Sequence, residues 1–248
     1  MIKLKTKDEI EIMRRAGAVL GRTLDMVGEI IHPGMTTLEL DTLIENFIRS
    51  DGAIPAFKGH QGFPGSACIS INEEVVHGIP GPRKIKDGDI VSVDVGSIIE
   101  GFYGDTARTF AVGEISDEKR NLMDCTLKSL MSAIDKARDG NRLGQVSATV
   151  QKIVEAQGYG VVRRLVGHGV GRELWEEPQV PNFGSPTDGP LLKVGMVIAI
   201  EPMVNVGTYE VITMNDGWTT VTADGQPSAH FEHTVAITEN GPDILTLA

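Results

Sequence analysis

The order of predicted helices and strands repeats along the chain, and this repeat limits the folds that the chain can adopt. Thr6 and Glu9 have the spacing of a capping box and precede a long amphipathic run. Thr36 and Glu39 repeat that signature, and the helix that they introduce is predicted to end near Gly52. Short β-type runs follow, and glycine and proline turns separate them.

A second pair of helices is predicted after these strands. Ser116 is placed to cap a helix that reaches Lys136, and another helix is predicted over residues 143–157. Further β-type runs complete the chain, so the order helix, helix, strands occurs twice. We therefore predict a single α+β domain of all 248 residues, built from two similar halves with approximate bounds 1–112 and 113–248. The predicted strand runs are 66–71, 89–96, 98–113, 160–167, 195–204, 218–223 and 229–238.

Composition excludes several classes of partner. The formal net charge of −11 argues against nucleic acids and anionic membranes, which both favour basic surfaces. Cys68 and Cys125 match no zinc or thioredoxin-like spacing, and so few cysteines indicate a reducing compartment. The start MIKLKTKDEIEIM lacks the apolar core of a signal peptide, and no apolar run has the length of a membrane span. We therefore expect a cytoplasmic protein without a membrane partner, and a monomer is the default.

Four carboxylates stand in or beside apolar strand runs, where acidic residues are unusual. Asp94 interrupts IVSVDVG, and Asp105 follows in the next β-type run after a turn predicted near Ser97. Glu201 ends the apolar run MVIAIEP, and Glu232 lies inside AHFEHTVAI. A buried carboxylate costs several kcal/mol unless it is paired or binds a metal. For any one of them alone, a turn position facing water remains the simpler interpretation.

His168, which stands between two glycines, makes a metal site the better interpretation of the set. Arg108 is the nearest basic residue to Asp105 along the chain, so few counter-charges accompany the acids. Two divalent ions carry about +4 in total, which would balance four carboxylates, and paired metals are a recurrent hydrolytic arrangement. Oxygen ligands with one imidazole suit Mn, Fe, Co, Ni or Zn. The residues alone thus indicate a metallohydrolase with two metal ions.

Seven motifs occur in this order along the chain: NEEVVHGIPG, DIVSVDVG, GFYGDTARTF, VGHGVGRE, AIEPMV, DGWTTVT and HFEHTVAIT. In this order they resemble the motif set of the type I methionine aminopeptidases, and the resemblance covers essentially the whole chain. The short separation between His168 and Glu201 favours type I over type II, and no zinc-binding N-terminal extension is present, as in the minimal bacterial form. The resemblance implies the pita-bread α+β fold, in which two pseudo-symmetric halves place helices on a curved antiparallel sheet.

The resemblance also implies a set of ligands for two divalent metal ions. Asp94 would chelate one ion, Asp105 and Glu232 would bridge both, and His168 and Glu201 would complete the other. A water molecule made acidic by the metals would attack the first peptide bond, with Glu201 as the general acid and base. The substrates implied are nascent polypeptides with an N-terminal methionine; contact with the ribosome is compatible with that task, although no basic patch points to it.

Residues of a substrate site follow from the same motifs. His77 would hydrogen-bond the substrate backbone near the scissile bond, whereas outside this motif it would be an ordinary loop histidine. Cys68 and Trp218 would line an apolar pocket for the methionine side chain, although each could instead be a core residue. His60 and Phe63 stand at pocket positions where the family often has tyrosine.

Trp175 departs from the family, which has a histidine seven residues after the metal-binding one. That histidine stabilises the scissile carbonyl oxygen, whereas an indole N–H can only donate and carries no charge. One interpretation is an aminopeptidase with reduced or altered turnover, and another is a divergent metallo-aminopeptidase whose specificity Trp175 reshapes. A third is a catalytically weak, metal-containing peptide-binding relative. Prolidase-type enzymes of the same fold are a further alternative, but they too carry a histidine in this region.

Overall fold

The computed structural model describes residues 1–248, and its four helices lie where the sequence predicts them. Thr6 and Thr36 each form a complete capping box with the glutamate three residues later, as predicted. Ser116 caps the third helix by accepting a hydrogen bond from the Lys119 N–H. None of the four helices combines the length and the apolar character needed to cross a bilayer. The helices are α1 (Lys7–Ile30), α2 (Thr37–Ser50), α3 (Asp117–Ile134) and α4 (Leu143–Glu155).

The strands form four antiparallel sheets, and two of them matter for the site. Strands β1, β4, β2 and β5 form the first of these sheets, in which β4 pairs with all three others. Strands β15, β14, β9, β7 and β8 form the second in that order. In chain order the strands are β1 (Ile54–Pro55), β2 (Ala67–Ile71), β3 (Glu74–Val76), β4 (Ile90–Ile99), β5 (Phe102–Ala111), β6 (Gly160–Val161), β7 (Gly167–Gly169), β8 (Glu176–Val180), β9 (Val197–Ile200), β10 (Met203–Asn205), β11 (Val211–Thr213), β12 (Thr220–Thr222), β13 (Ser228–His230), β14 (His233–Thr238) and β15 (Gly241–Ile244).

Each helix pair packs on its own hydrophobic cluster. Leu20 of α1 and Leu40 of α2 are buried with Val93 of β4, and this cluster lies under the first helix pair. The largest cluster joins α3 and α4 to β9 and β14, and Leu130, Val150, Ile198 and Val235 belong to it. The order helix pair, then strands, therefore occurs twice in the structure, and a symmetry relation between halves 1–112 and 113–248 remains a prediction.

Four details of the strand prediction are wrong. The run 195–204 is interrupted at Glu201 and Pro202, which separate β9 from β10. Ser97 lies within β4, because the hairpin turns instead at Glu100 and Gly101, whose φ values of 50° and 78° suit a tight two-residue turn. The run 160–167 is strand only at its two ends. The run 229–238 is interrupted at Phe231 and Glu232, so uninterrupted alternation does not set the direction of the Glu232 side chain.

Candidate metal centre and substrate pocket

The hairpin of β4 and β5 brings Asp94 and Asp105 together. Asp94 pairs with Ala107, and Asp105 pairs with Gly96, so the two carboxylates are diagonal neighbours on one face of the sheet. The two side chains are close enough for each carboxyl to influence the pKa of the other. A feature local to one hairpin therefore supplies half of the predicted carboxylate set.

Threonine hydroxyls join this hairpin to the chain around β14. The Asp105 N–H donates to Thr234 Oγ1 at 3.1 Å, and that hydroxyl donates back to the Asp105 carbonyl at 2.7 Å. Thr106 Oγ1 donates to the Glu232 carbonyl at 2.6 Å, while the Glu232 N–H donates to the Ala107 carbonyl at 2.9 Å. These bonds hold Asp105 and Glu232 side by side, although the two residues are far apart in sequence.

Two glycines allow the strand that carries His168 to pass close to its neighbours. A Cβ on Gly167 would lie 2.4 Å from the Ala199 carbonyl oxygen, and one on Gly169 would lie 2.3 Å from the Glu177 carbonyl oxygen. Both distances are shorter than any side-chain contact, so larger residues would push β7 away from β9 and β8. The glycines thus explain how His168 reaches the carboxylates.

The ring of His168 is oriented toward the carboxylates. Its Nε2 lies 3.6 Å from Asp105 Oδ2 and 3.5 Å from Glu201 Oε1. Its Nδ1 is 3.0 Å from the Gly169 carbonyl oxygen. An Nδ1–H that donates to this carbonyl leaves the lone pair of Nε2 free to bind a metal, which is the usual arrangement of metal-binding histidines.

Burial makes this set of charges unstable without cations. It raises the pKa of Asp94 to about 7, and it raises the pKa of Asp105, of Glu201 and of Glu232 well above the usual range, with added repulsion from neighbouring carboxylates. No arginine compensates, because Arg108 turns outward and its Nη1 lies 2.9 Å from Asp25 Oδ1. Burial also lowers the pKa of His168 to about 4, so the imidazole is neutral near pH 7.

The donor set fits divalent metal ions. Asp94 Oδ1, Asp105 Oδ1 and Glu232 Oε1 are buried and have no hydrogen-bond partner. Ligand atoms of Asp105, His168 and Glu232 lie within 4.8 Å of one another. Buried oxygens without partners are costly, and oxygens gathered around one neutral imidazole are ligands that such ions accept. A cation supplies both the missing partners and the missing positive charge.

An apolar pocket adjoins this cluster and shares Asp94 with it. The space that water-sized groups can occupy inside it is about 40 Å³, whereas one water needs about 10–15 Å³. A slim side chain of a few heavy atoms matches that space. The lining residues are Phe57, His60, Phe63, Cys68, His77, Asp94, Leu174, Trp175 and Trp218, and they include every substrate-binding residue predicted above.

His77 is held in an unusual backbone conformation at the pocket. Its φ of 60° is left-handed, which is uncommon for residues other than glycine and often marks a functional site. Burial lowers the pKa of His77, so its ring is neutral near pH 7. Its ring centroid lies 6.3 Å from that of Trp218 across the pocket. His77 can therefore offer a substrate a single donor and a single acceptor.

Trp175 stands between the pocket and the metal-binding cluster. Its ring centroid lies 4.9 Å from that of His60 and 6.4 Å from that of His168, both in edge-on geometry. The side chain is nonetheless 43% exposed, so Trp175 is not a core residue. The position where this chain lacks the second histidine of the family thus lies at the site itself.

Several residues at the site escape the sequence argument. Phe57 lines the pocket without any motif signal. Asn182 donates from Nδ2 to the Glu201 carbonyl at 2.9 Å and has no pattern that would reveal it. His230 is buried beside Glu201, with Nε2 3.8 Å from Oε2. The sequence offers one signal for it: His230 stands two residues before Glu232 in a strand-like run, and such residues lie on the same side of a strand.

Comparison with known proteins identifies the family. Residues 11–239 match the model of Metallopeptidase family M24. The chain belongs to this family. It is 56% identical to a methionine aminopeptidase of Clostridium perfringens, over 100% of this chain and 99% of that protein. It is 52% identical to methionine aminopeptidase 1 of Bacillus subtilis, over 99% of each chain.

A solved structure of the family agrees with the fold. The methionine aminopeptidase of Thermotoga maritima superposes with a TM-score of 0.98 at 48% identity, and the match covers 100% of both chains. The predicted α+β pita-bread fold of the M24 metallopeptidases is therefore confirmed, and so is the predicted metallopeptidase class. Divalent metal use follows from the family and from the cluster of Asp105, His168 and Glu232.

Proposed function

We propose that the chain is a methionine aminopeptidase that removes the N-terminal methionine of nascent polypeptides with the help of divalent metal ions. One observation carries the proposal: the apolar pocket opens directly onto Asp94 of the carboxylate cluster. A side chain that fills the pocket brings the first peptide bond of its own residue beside the metal ligands. The names of the relatives in Clostridium perfringens and Bacillus subtilis support the same substrate.

The proposed roles divide between metal binding and substrate binding. Asp94, Asp105, His168, Glu201 and Glu232 would hold two divalent ions, chosen from Mn, Fe, Co, Ni and Zn. When bound, the metals supply a Lewis acid for the scissile carbonyl and a water acidic enough to attack near neutral pH. The carboxylate cluster keeps the negative charge that these ions require.

Proton transfer and positioning fall to the side chains of the chain itself. Glu201 takes a proton from the attacking water and later gives it to the nitrogen of the leaving amine, so the proton count balances. His77 hydrogen-bonds the substrate backbone, and the walls around Cys68 and Trp218 hold the methionine side chain. Trp175 lies where it can contact the scissile residue, but its indole offers only a neutral donor.

A peptide assay tests the proposal. We expect a Met-Ala-Ser peptide to lose its methionine in the presence of at least one metal of the panel, and we expect a chelator to abolish the reaction. A Leu-Ala-Ser peptide is the matched control, because its branched side chain suits the narrow pocket less well. Metal binding without cleavage of any peptide would favour the peptide-binding alternative, and faster cleavage of another first residue would favour a divergent specificity.

Assembly and location belong to the same proposal. We propose that the protein acts as a cytoplasmic monomer on chains that emerge from the ribosome. With a net charge of −11, any ribosome contact would need local features rather than overall basic attraction. Sedimentation of the protein alone tests whether it is a monomer. Sedimentation with ribosomes, at low and at physiological salt, tests whether it binds them.

A further inference from the structure

His230 is a buried histidine whose side chain has no hydrogen-bond partner. It is 1% exposed, and neither Nδ1 nor Nε2 has a donor or acceptor within reach. Its backbone, by contrast, is fixed on both sides by Thr109: the His230 N–H donates to Thr109 Oγ1 at 2.9 Å, and that hydroxyl donates to the His230 carbonyl at 2.8 Å. Burying an imidazole without hydrogen-bond partners costs free energy, so we expect a hydrogen-bonding group beside it.

The carboxylate of Glu201 lies just beyond hydrogen-bonding distance of the His230 ring, and its other oxygen lies near His168. Its Oε1 lies 3.5 Å from His168 Nε2, whereas its Oε2 lies 3.8 Å from His230 Nε2. Asn182 holds the backbone of the same residue from a third direction. A shift of about 1 Å would bring Oε2 into hydrogen-bonding distance of His230.

The position of His230 does not suit direct metal binding. Glu201 Oε2 is the only carboxylate oxygen within 4.0 Å of a His230 ring nitrogen, whereas His168 Nε2 lies that close to oxygens of both Asp105 and Glu201. His168 already faces Glu201 from the metal side. His230 therefore approaches Oε2 of Glu201, and His168 approaches Oε1 of the same carboxylate.

We propose that His230 is a positioning residue whose Nε2–H donates to Glu201 Oε2, so that Oε1 stays directed toward the metals and the attacking water. This inference rests on the proposed function only for its kinetic consequence. Groups of this kind orient metal-binding carboxylates, and their loss typically costs about 10–100-fold in activity or metal affinity.

The hydrogen bond can be tested without a substrate. Long-range ¹H–¹⁵N NMR of the zinc-loaded protein, with histidines labelled, reports which ring nitrogen of His230 carries the proton. We expect the Nε2–H tautomer, and we expect its signal to shift in Glu201→Gln, with His32 at the exposed surface as the unaffected control. A proton on Nδ1, or a metal-bound nitrogen of His230, would overturn the proposal.

Two variants of similar size test the consequence. His230→Leu removes the donor, and we expect kcat on Met-Ala-Ser to fall about 10–100-fold while KM changes much less. His230→Gln keeps a donor and should recover most of the loss, which a role in packing alone would not predict. Wild-type kcat in His230→Leu, or no recovery in His230→Gln, contradicts the proposal. If the wild type cleaves no methionyl peptide, the proposed function fails and the NMR measurement still decides the contact.

Discussion

At the scale of single residues, Trp175 is the position where this chain differs most from what its motifs imply. Its indole lies near the rings of His60 and His168, yet it cannot carry the charge that a histidine would bring to the scissile carbonyl. Loss of one such stabilising donor typically costs about 10²–10³ in kcat. We therefore expect Trp175→His to raise kcat on Met-Ala-Ser by about tenfold or more, with a smaller change in KM.

A second variant separates the N–H of Trp175 from its bulk. Trp175→Phe keeps an aromatic ring against His60 but removes the donor. If the indole N–H contributes to turnover, Trp175→Phe is slower than wild type in the same assay. A wild type already as fast as Trp175→His would show that the substitution costs nothing.

Glu201 offers the other prediction at this scale. Glu201→Gln keeps the shape of the side chain and one oxygen ligand but removes the group that accepts a proton. We expect the variant to bind metal in calorimetry and to hydrolyse Met-Ala-Ser at least about 10²-fold more slowly. Undiminished turnover would remove Glu201 from the acid–base role and leave it as a ligand only.

At the scale of elements, the junction of β5 and the chain around β14 decides whether the carboxylates meet. Thr234→Val removes the hydroxyl that satisfies both the N–H and the carbonyl of Asp105 while keeping the volume. A buried N–H left without a partner costs about 1–3 kcal/mol. We expect urea unfolding to report a loss of that size in metal-free protein, together with weaker binding of Mn²⁺.

The matched control for this junction lies in α3. Thr126 is as fully buried as Thr234, but its hydroxyl donates only to the Leu122 carbonyl one turn earlier in the helix. Thr126→Val should therefore cost less stability and leave metal affinity unchanged. Equal effects of the two substitutions on metal affinity would contradict a specific role for the Thr234 contacts.

The difference between local and long-range contacts explains which parts of the fold could be predicted from sequence. The caps at Thr6 and Thr36 are local, because each residue pairs with a glutamate three positions later, and both predictions are confirmed. The predicted turn near Ser97 is wrong because the first left-handed residue of the actual turn is Glu100, and a glutamate does not mark such a turn as asparagine or glycine would. Asn182 supports Glu201 through a long-range hydrogen bond that leaves no periodic pattern.

The candidate site, too, could be predicted from the sequence only in part. The acids within apolar runs predicted a charged cluster, since burying them unpaired would be costly. Their assignment to separate ligand positions came from resemblance to a family, and those roles remain proposals. Phe57 lines the pocket only because of how the chain packs, and neither composition nor motif spacing indicates that packing.

At the scale of the whole molecule, the buried carboxylates oppose folding unless cations are bound. Burial raises the pKa of Asp94 from its usual value to about 7. A group whose pKa is raised on folding favours the folded state most at low pH, and this advantage is lost as pH rises through the folded pKa. The buried histidines oppose this trend, because an unfolded histidine is still about half protonated at pH 6.5 and loses that proton by pH 8. The four carboxyls with raised pKa values outweigh this partial loss of protons.

Metal-free protein should therefore melt at a lower temperature at pH 8 than at pH 6.5, whereas saturating metal should reverse the order because ligands must be deprotonated to bind. Metal at about 100 times its dissociation constant adds about 2.7 kcal/mol, which for a chain of this size raises Tm by about 5–10 °C. Calorimetry at both pH values, with and without Mn²⁺, measures the effect. Glu39→Gln is the matched control, because Glu39 lies far from the cluster in an exposed capping box and its loss leaves the metal-induced shift unchanged. A metal-free Tm that rises from pH 6.5 to pH 8 would contradict the assignment of an uncompensated carboxylate cluster.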